Sequence, residues 1–205
     1  MSEPLLVANN VLLQGGVKIP NLSVLPGDIL WLECENNLHS DIFVSFMLGL
    51  LKIRSGTATL SGNNITLPGN HKVISYFNIT AHKYMDDVEK MVKLFAHSGG
   101  LEFSSAASEF KRILNGIGAG YALSVKSEEI APATKKIIQT AMSVAMPSLL
   151  LLLDEPFTGL DTDGILFLKT ELQNLVKDGT AVIIMSELEP PLNSKKLKFS
   201  CVVEK

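Results

Sequence analysis

The sequence predicts an α/β domain: a mostly parallel sheet core, an antiparallel β piece on its N-terminal side and a helical subdomain inserted in the core. Three observations predict it. The last third alternates apolar runs with helical spacing, which implies strands laid parallel with helices between them. The first third is rich in short apolar runs broken by Gly, Pro and Asn. The middle carries apolar residues at helical spacing between glycine stops. With 205 residues the chain is long enough to bury a sizeable core, and it reads as one domain over 1–205 with the helical insert at roughly 82–130.

Each element has its own signal. PLLVANNVLL (4–13) and KIPNLSVL (18–25) read as short strands, and Pro26-Gly27-Asp28 turns the chain into ILWLEC (29–34), a buried strand that includes Trp31 as packing. In SDIFVSFMLGLL (40–51), Ile42, Phe43, Phe46, Met47 and Leu50 share one helical face. SGTATLSGNNI (55–65) has the turn residues of a hairpin. MDDVEKMVKLFAH (85–97) carries a stripe of Met85, Val88, Met91, Val92 and Phe95, an acidic first turn and a stop at Gly99-Gly100. A second helix is expected over 104–116, ending at Asn115-Gly116. A third should run from Pro132 to Met146, with proline where its missing N–H is harmless. Then come a strand at 149–153, a helix from Gly164 to about Lys177, a strand at 180–186 and a final strand at 198–204.

Composition narrows the function. A net charge of −3 argues against a nucleic-acid partner held mainly through phosphates. The start MSEPLLVANN lacks the basic and apolar regions of a signal peptide, and no apolar run reaches the ~18–20 residues that cross a bilayer. Two cysteines, Cys34 and Cys201, suggest a reducing compartment rather than a disulfide framework. The mean hydropathy of +0.26 fits strands buried on both faces, and leaves room for an apolar dock. His71, His82 and His97 have no metal-ligand spacing, and the Asn78-Ile79-Thr80 sequon carries no meaning in a cytosolic chain.

The chemistry is concentrated in LLLLLDEPFTGLD (149–161). A buried strand ending in Asp154-Glu155 sets both carboxylates at the carboxyl edge of a sheet, where open α/β folds bind ligands. There Asp154 is suited to hold Mg²⁺ and Glu155 to polarise an attacking water. DEPFTGLD resembles the Walker B strand and D-loop of the ATP-binding cassette (ABC) ATPases, with Asp161 at the D-loop aspartate. DEPFTGLDTDG together with KDGTAVIIMSELEPPLNS (177–194) is similar to the small ATP-binding subunit of the haem exporter of cytochrome c maturation. The match is strong over 149–194, fair over 19–65 and weak through the helical middle. It implies the ABC ATPase nucleotide-binding fold, ATP and Mg²⁺ as cofactors, a head-to-tail dimer with itself or another ABC ATPase, and an integral membrane transporter subunit as partner. It also implies a peripheral place on the inner face of the cell membrane.

The other half of such a site is altered. G-x-x-x-x-G-K-[ST] occurs nowhere in the chain. The phosphate loop should occupy Cys34, Glu35, Asn36, Asn37, Leu38, His39, Ser40, Asp41 and Ile42, and of its pattern only Asn36 remains. Cys34 and His39 replace glycines whose freedom lets successive N–H groups point at one anion. Ser40 replaces the lysine that neutralises the β- and γ-phosphates, and Asp41 the hydroxyl that helps hold Mg²⁺. By the same alignment Ala131 and Pro132 stand in the signature motif, Asn78 at the Q-loop glutamine and Glu187 at the switch histidine. Three readings follow: a transport-coupled ATPase, a non-catalytic docking or assembly subunit of the same fold, and a free-standing enzyme using the carboxylate pair for metal chemistry. The last lacks a second ligand cluster.

Overall fold

Where a parallel sheet is buried on both faces its strands need no polar alternation, and the apolar runs found in the sequence become its centre. In the computed structural model, which describes residues 3–67, 73–78, 88–98, 100–124 and 129–199, the chain divides into two compact units. The first comprises Met1–Ile74, Ser148–Asp154 and Leu175–Lys205, and the second Ser75–Pro147 and Glu155–Asn174.

The first unit holds an antiparallel sheet of β1 (Leu6–Leu13), β2 (Leu22–Val24), β4 (Ile53–Leu60) and β5 (Asn63–Asn64), in the order β2-β1-β4-β5. The pairing of β1 with β4 is interrupted between Asn9 and Leu12, where Asn10 takes φ 51°. Gly56 lies opposite with φ 85°, and a Cβ there would sit 2.2 Å from the Asn10 carbonyl oxygen. The Asn9-Asn10 break in an otherwise apolar strand is therefore a bulge, made possible by the glycine across from it.

The second sheet of this unit has β3 (Ile29–Cys34), β7 (Leu150–Asp154), β8 (Ala181–Ser186) and β9 (Lys195–Phe199), with β6 (Ile74–Ser75) at the outer side of β7, in the order β6-β7-β8-β3-β9. β3 pairs in parallel with both β8 and β9, and β7 pairs in parallel with β8. Every residue of β8 and the leucines of β7 are buried. The edge strand β9 is lysine-rich, which guards an exposed edge against mispairing. Its Lys195 and Lys196 reach Asp28 at 2.6 Å and Glu33 at 3.0 Å, and Lys196 also lies 4.2 Å from the centre of the Trp31 ring. Trp31 is packing, as expected; its Nε1–H donates to the Ser186 carbonyl at 3.2 Å. The helix α1 (Asn37–Met47) follows β3.

The second unit is helical: α2 (Val88–Ser98), α3 (Phe103–Gly116), a short 3-10 helix (Gly120–Ser124), α4 (Pro132–Ala145) and most of α5 (Thr162–Lys177). From Ile137 to Ala145 every residue of α4 is buried. A helix with no polar face must satisfy its buried hydroxyls. Ser143 does so by accepting the Phe77 N–H at 2.9 Å, while the Ser143 carbonyl accepts the Ser75 hydroxyl at 2.7 Å. Gly116, the last residue of α3, faces the Phe167 ring, and a Cβ would lie 2.2 Å from it. One turn earlier Arg112 forks between Glu109 and Glu171 at 2.7 and 2.6 Å.

The predicted elements differ from the structure at particular ends. The helix expected at 40–51 begins at Asn37 and ends at Met47. The final strand expected at 198–204 begins at Lys195, and its residues 200–204 lie outside the described residues. Met85, Gly99, His71, His82, Ile79, Thr80 and Cys201 lie outside them too, as do residues 82–87 and 125–128 of the expected insert. Among the described residues no helix is long and apolar enough to cross a membrane, and no cluster of His, Cys, Asp and Glu could hold a metal ion.

Two outcomes follow. Gly56→Val forces a side chain into the Asn10 carbonyl and should cost about 1–3 kcal/mol in urea unfolding; an unchanged midpoint would show that the bulge can move. Hydrogen bonds from Arg112 hold the Glu109 carboxyl below its ordinary 4.5, against the burial that raises it. A depressed folded value means this contribution is complete above the unfolded value and is lost as pH falls through the folded one. Glu109→Gln should therefore flatten part of the acid-side fall in stability, read from urea unfolding as a function of pH.

Candidate functional site

Parallel pairing of β3, β8 and β7 fixes which residues share an edge. Glu33 pairs with Ser186 and Met185 with Asp154, so the strand ends at Cys34, Asp154 and Ser186 emerge together at the carboxyl edge of the sheet. Ligands of open α/β folds bind at that edge. Cys34 is buried, Asp154 half-buried and Glu187, just past β8, exposed. The Ser186 hydroxyl donates to the Leu188 carbonyl at 2.7 Å and so shapes the turn that carries Glu187.

The segment between β3 and α1 is short. Only Glu35 and Asn36 separate the last strand residue from the first helical one. Asn36 is extended, and its side-chain oxygen accepts the His39 N–H at 3.2 Å, with the Asn36 carbonyl at 3.1 Å from the same nitrogen. This is an N-cap. It winds Asn37, Leu38 and His39 into the first helical turn rather than leaving them as an open loop. The His39 ring is buried, 5.5 Å from the Phe199 ring, which in turn lies 6.2 Å from Phe43. Ser40 is buried as well, Ile42 is half-buried, and Leu38 and Asp41 are exposed. Glu35 pairs with Lys198 at 3.0 Å, and both side chains are largely in solvent. This pairing raises the pKa of the Lys198 ammonium above its ordinary value, first through the hydrogen bond that Lys198 donates to Glu35.

The remaining sequence-predicted residues belong to the second unit. Glu155 adopts φ 49°, a left-handed conformation costly for a residue with a Cβ. Its carbonyl accepts the Thr158 N–H at 3.2 Å and its carboxylate the Thr158 hydroxyl at 3.4 Å, closing the turn that Pro156 opens. The Asp161 carboxylate accepts the Gly164 N–H at 2.8 Å and caps α5. Ala131 occupies the cap position of α4 with no side-chain bond to offer, and Pro132 is in the first turn with no N–H; both are exposed. Asn78 is half-buried in the segment after β6. The structure therefore brings Cys34, the 35–42 segment, Asp154 and Glu187 to one sheet edge, and sets Glu155, Asp161, Ala131 and Pro132 in turns and helix starts of the other unit. Sequence reasoning missed the Glu35–Lys198 pair and the Tyr121–Thr134 hydrogen bond, 2.9 Å, at the start of α4. Neither has a signal in spacing. The cap by Asn36 had one: an Asn immediately before a helical stripe.

No protein-family model matches the chain. Among curated proteins it is 27% identical over 145 residues to the bicarbonate transport ATP-binding protein CmpC of Synechocystis sp., covering 69% of this chain and 21% of that protein. The chain spans 7% to 60% of the length of the curated relatives it matches. Among solved structures, the ATP-binding subunit of an ABC transporter superposes with a TM-score of 0.76 at 18% identity, over 90% of this chain and 80% of that one. The structure of cbiO1 from Clostridium perfringens, part of the ABC transporter complex cbiONQ, does so with a TM-score of 0.65 at 18% identity, over 91% and 80%.

If Asn36 and Asp161 act as caps, Asn36→Ala and Asp161→Ala should each lower stability by about 1 kcal/mol, and Asp161→Asn should cost little, because Asn caps as well as Asp. Urea unfolding of the three variants checks this. Equal losses in Asp161→Ala and Asp161→Asn would mean that the charge, not the cap, matters there.

Proposed function

We propose that this chain, whose fold is that of an ABC ATPase nucleotide-binding domain, is the cassette subunit of a membrane transporter whose own phosphate cradle has been lost. It would contribute a folded docking partner, and a competent cassette would supply hydrolysis. The observation that carries this reading is the start of α1 at Asn37 under the Asn36 cap. A triphosphate needs several N–H groups turned toward one anion and a cation beside it. In the 34–42 segment a first-turn N–H is already bonded to Asn36, a buried imidazole occupies a glycine position, and no lysine is present. These residues do not fit MgATP, so no catalytic step is derived through it.

The acidic half supports the lineage without restoring the activity. Asp154 keeps a position suited to Mg²⁺ at the end of β7, and Glu155 the position that would polarise water. Glu155 is engaged with Thr158, and Asp161 with the amide of Gly164. At the signature position Ala131 and Pro132 offer neither hydroxyl nor, at Pro132, an N–H to a partner's nucleotide. Glu187 places a carboxylate where an imidazole would face the γ-phosphate.

For the transported species, the DEPFTGLDTDG and 177–194 segments favour haem handling in cytochrome c maturation. The partners in this reading are an integral membrane subunit and a second cassette, identical or not, on the inner face of the membrane.

Calorimetric titration of the full chain with MgATP tests the reading. It predicts no saturable binding in the micromolar range, and a hydrolysis rate at background that Glu155→Gln leaves unchanged. Micromolar binding together with turnover abolished by Glu155→Gln would overturn it.

A further inference from the structure

Within the helical unit, α2 and the start of α3 flank an open cleft of about 490 Å³. Its floor and walls are Leu94, Leu101 and Phe103, and Lys90, Lys93 and His97 stand around it. Lys90, Lys93 and His97 recur at three and four residues along α2, so they lie on one side of the helix. Two backbone bonds follow α2: Gly100 N–H to the His97 carbonyl at 3.1 Å and Leu101 N–H to the Ala96 carbonyl at 2.9 Å. The turn at Gly100 brings Leu101 and Phe103 alongside Leu94, which is 48% exposed. The Lys93 ammonium lies 5.9 Å from the centre of the Phe103 ring, so one cation already leans over the apolar wall.

Sites for small molecules have volumes of about 300–1,000 Å³, mostly apolar walls and a few polar groups that orient the ligand. The lining of this cleft has that composition, and its charged groups are the Lys90 and Lys93 ammoniums. None of its six lining residues is acidic, and Glu102, between Leu101 and Phe103 in sequence, is exposed and does not line it. An apolar wall beside two ammonium groups complements a ligand with an apolar body and an anionic head. We infer that the α2–α3 cleft binds a single-chain anionic amphiphile of the fatty-carboxylate class, with the carboxylate between Lys90 and Lys93 and the chain against Leu94, Leu101 and Phe103. A cationic or neutral amphiphile gains the same apolar contact and lacks the head-group pairing, so the charge decides selectivity.

The test titrates the full chain calorimetrically with dodecanoate below its aggregation threshold, and in parallel with dodecyltrimethylammonium. Lys90→Glu/Lys93→Glu and, separately, Leu94→Asp are titrated too, after circular dichroism and thermal unfolding show them folded. Leu94→Asp alters an exposed position and keeps the test valid should the double variant fail to fold. The expected result is saturable dodecanoate binding, weakened about tenfold or more in either variant, with no binding of the cation. Three results would overturn the inference: no saturable binding of dodecanoate, equal binding of the cationic amphiphile, or an affinity unmoved by both variants. Vesicles of phosphatidylglycerol and of phosphatidylcholine form a further arm. Retention of the chain only on the anionic vesicles, without binding of free dodecanoate, would mean a membrane surface is recognised instead, and would overturn the inference as well.

Discussion

A hydrogen bond from one amide to one side chain decides what the sheet edge can do. When Asn36 accepts the His39 N–H, the helix must begin at Asn37, and the connection from β3 shrinks to two residues. An anion-binding loop works because its backbone departs from helical geometry and its N–H groups converge. A capped helix start commits one of those groups, here the His39 N–H, to the cap and turns the others along the axis. The two arrangements compete for the same few residues. Burial of the His39 ring against Phe199 adds weight on the helical side, since unwinding the turn would pull an aromatic side chain out of the core.

The acidic residues around 154–161 carry structural roles of their own. Asp161 caps α5, which is reason enough for an acid or an amide at that position. Glu155 is held in a left-handed turn by Thr158, a strained arrangement of the kind that persists where surrounding structure enforces it. Pro156 and Gly159 belong to the same turn, with Gly159 at φ 81°. Asp154 lies half-buried at the end of an apolar strand.

Much of the fold was legible because its strands are buried on both faces. β3 matches the expected 29–34, and β7 and β8 differ from expectation by a residue at their ends, because continuous apolar runs between turn residues leave little freedom. The start of α4 at Pro132 was equally plain. α1 starts three residues before the 40–51 that apolar spacing and a phosphate loop of ordinary length predict, because the Asn36 cap sets its first turn. β9 begins earlier than its apolar residues suggest: Lys195, Lys196 and Lys198 read as a solvated run, and only the acids of β3 and its flanks, Asp28, Glu33 and Glu35, make them a paired edge strand. Such partners are far apart in sequence, and periodicity does not report them. The same holds for the α2–α3 cleft, whose lining residues look like an ordinary amphipathic stripe until the turn at Gly100 brings Leu101 and Phe103 against it.

The most direct measurement is a crystal structure of the full chain grown with saturating Mg²⁺ and a non-hydrolysable ATP analogue. The account predicts α1 still beginning at Asn37, the His39 amide on the Asn36 side chain, and no phosphate at that helix start. A β-phosphate seated among the amides of residues 37–40, with the first turn unwound and His39 displaced from Phe199, would contradict it.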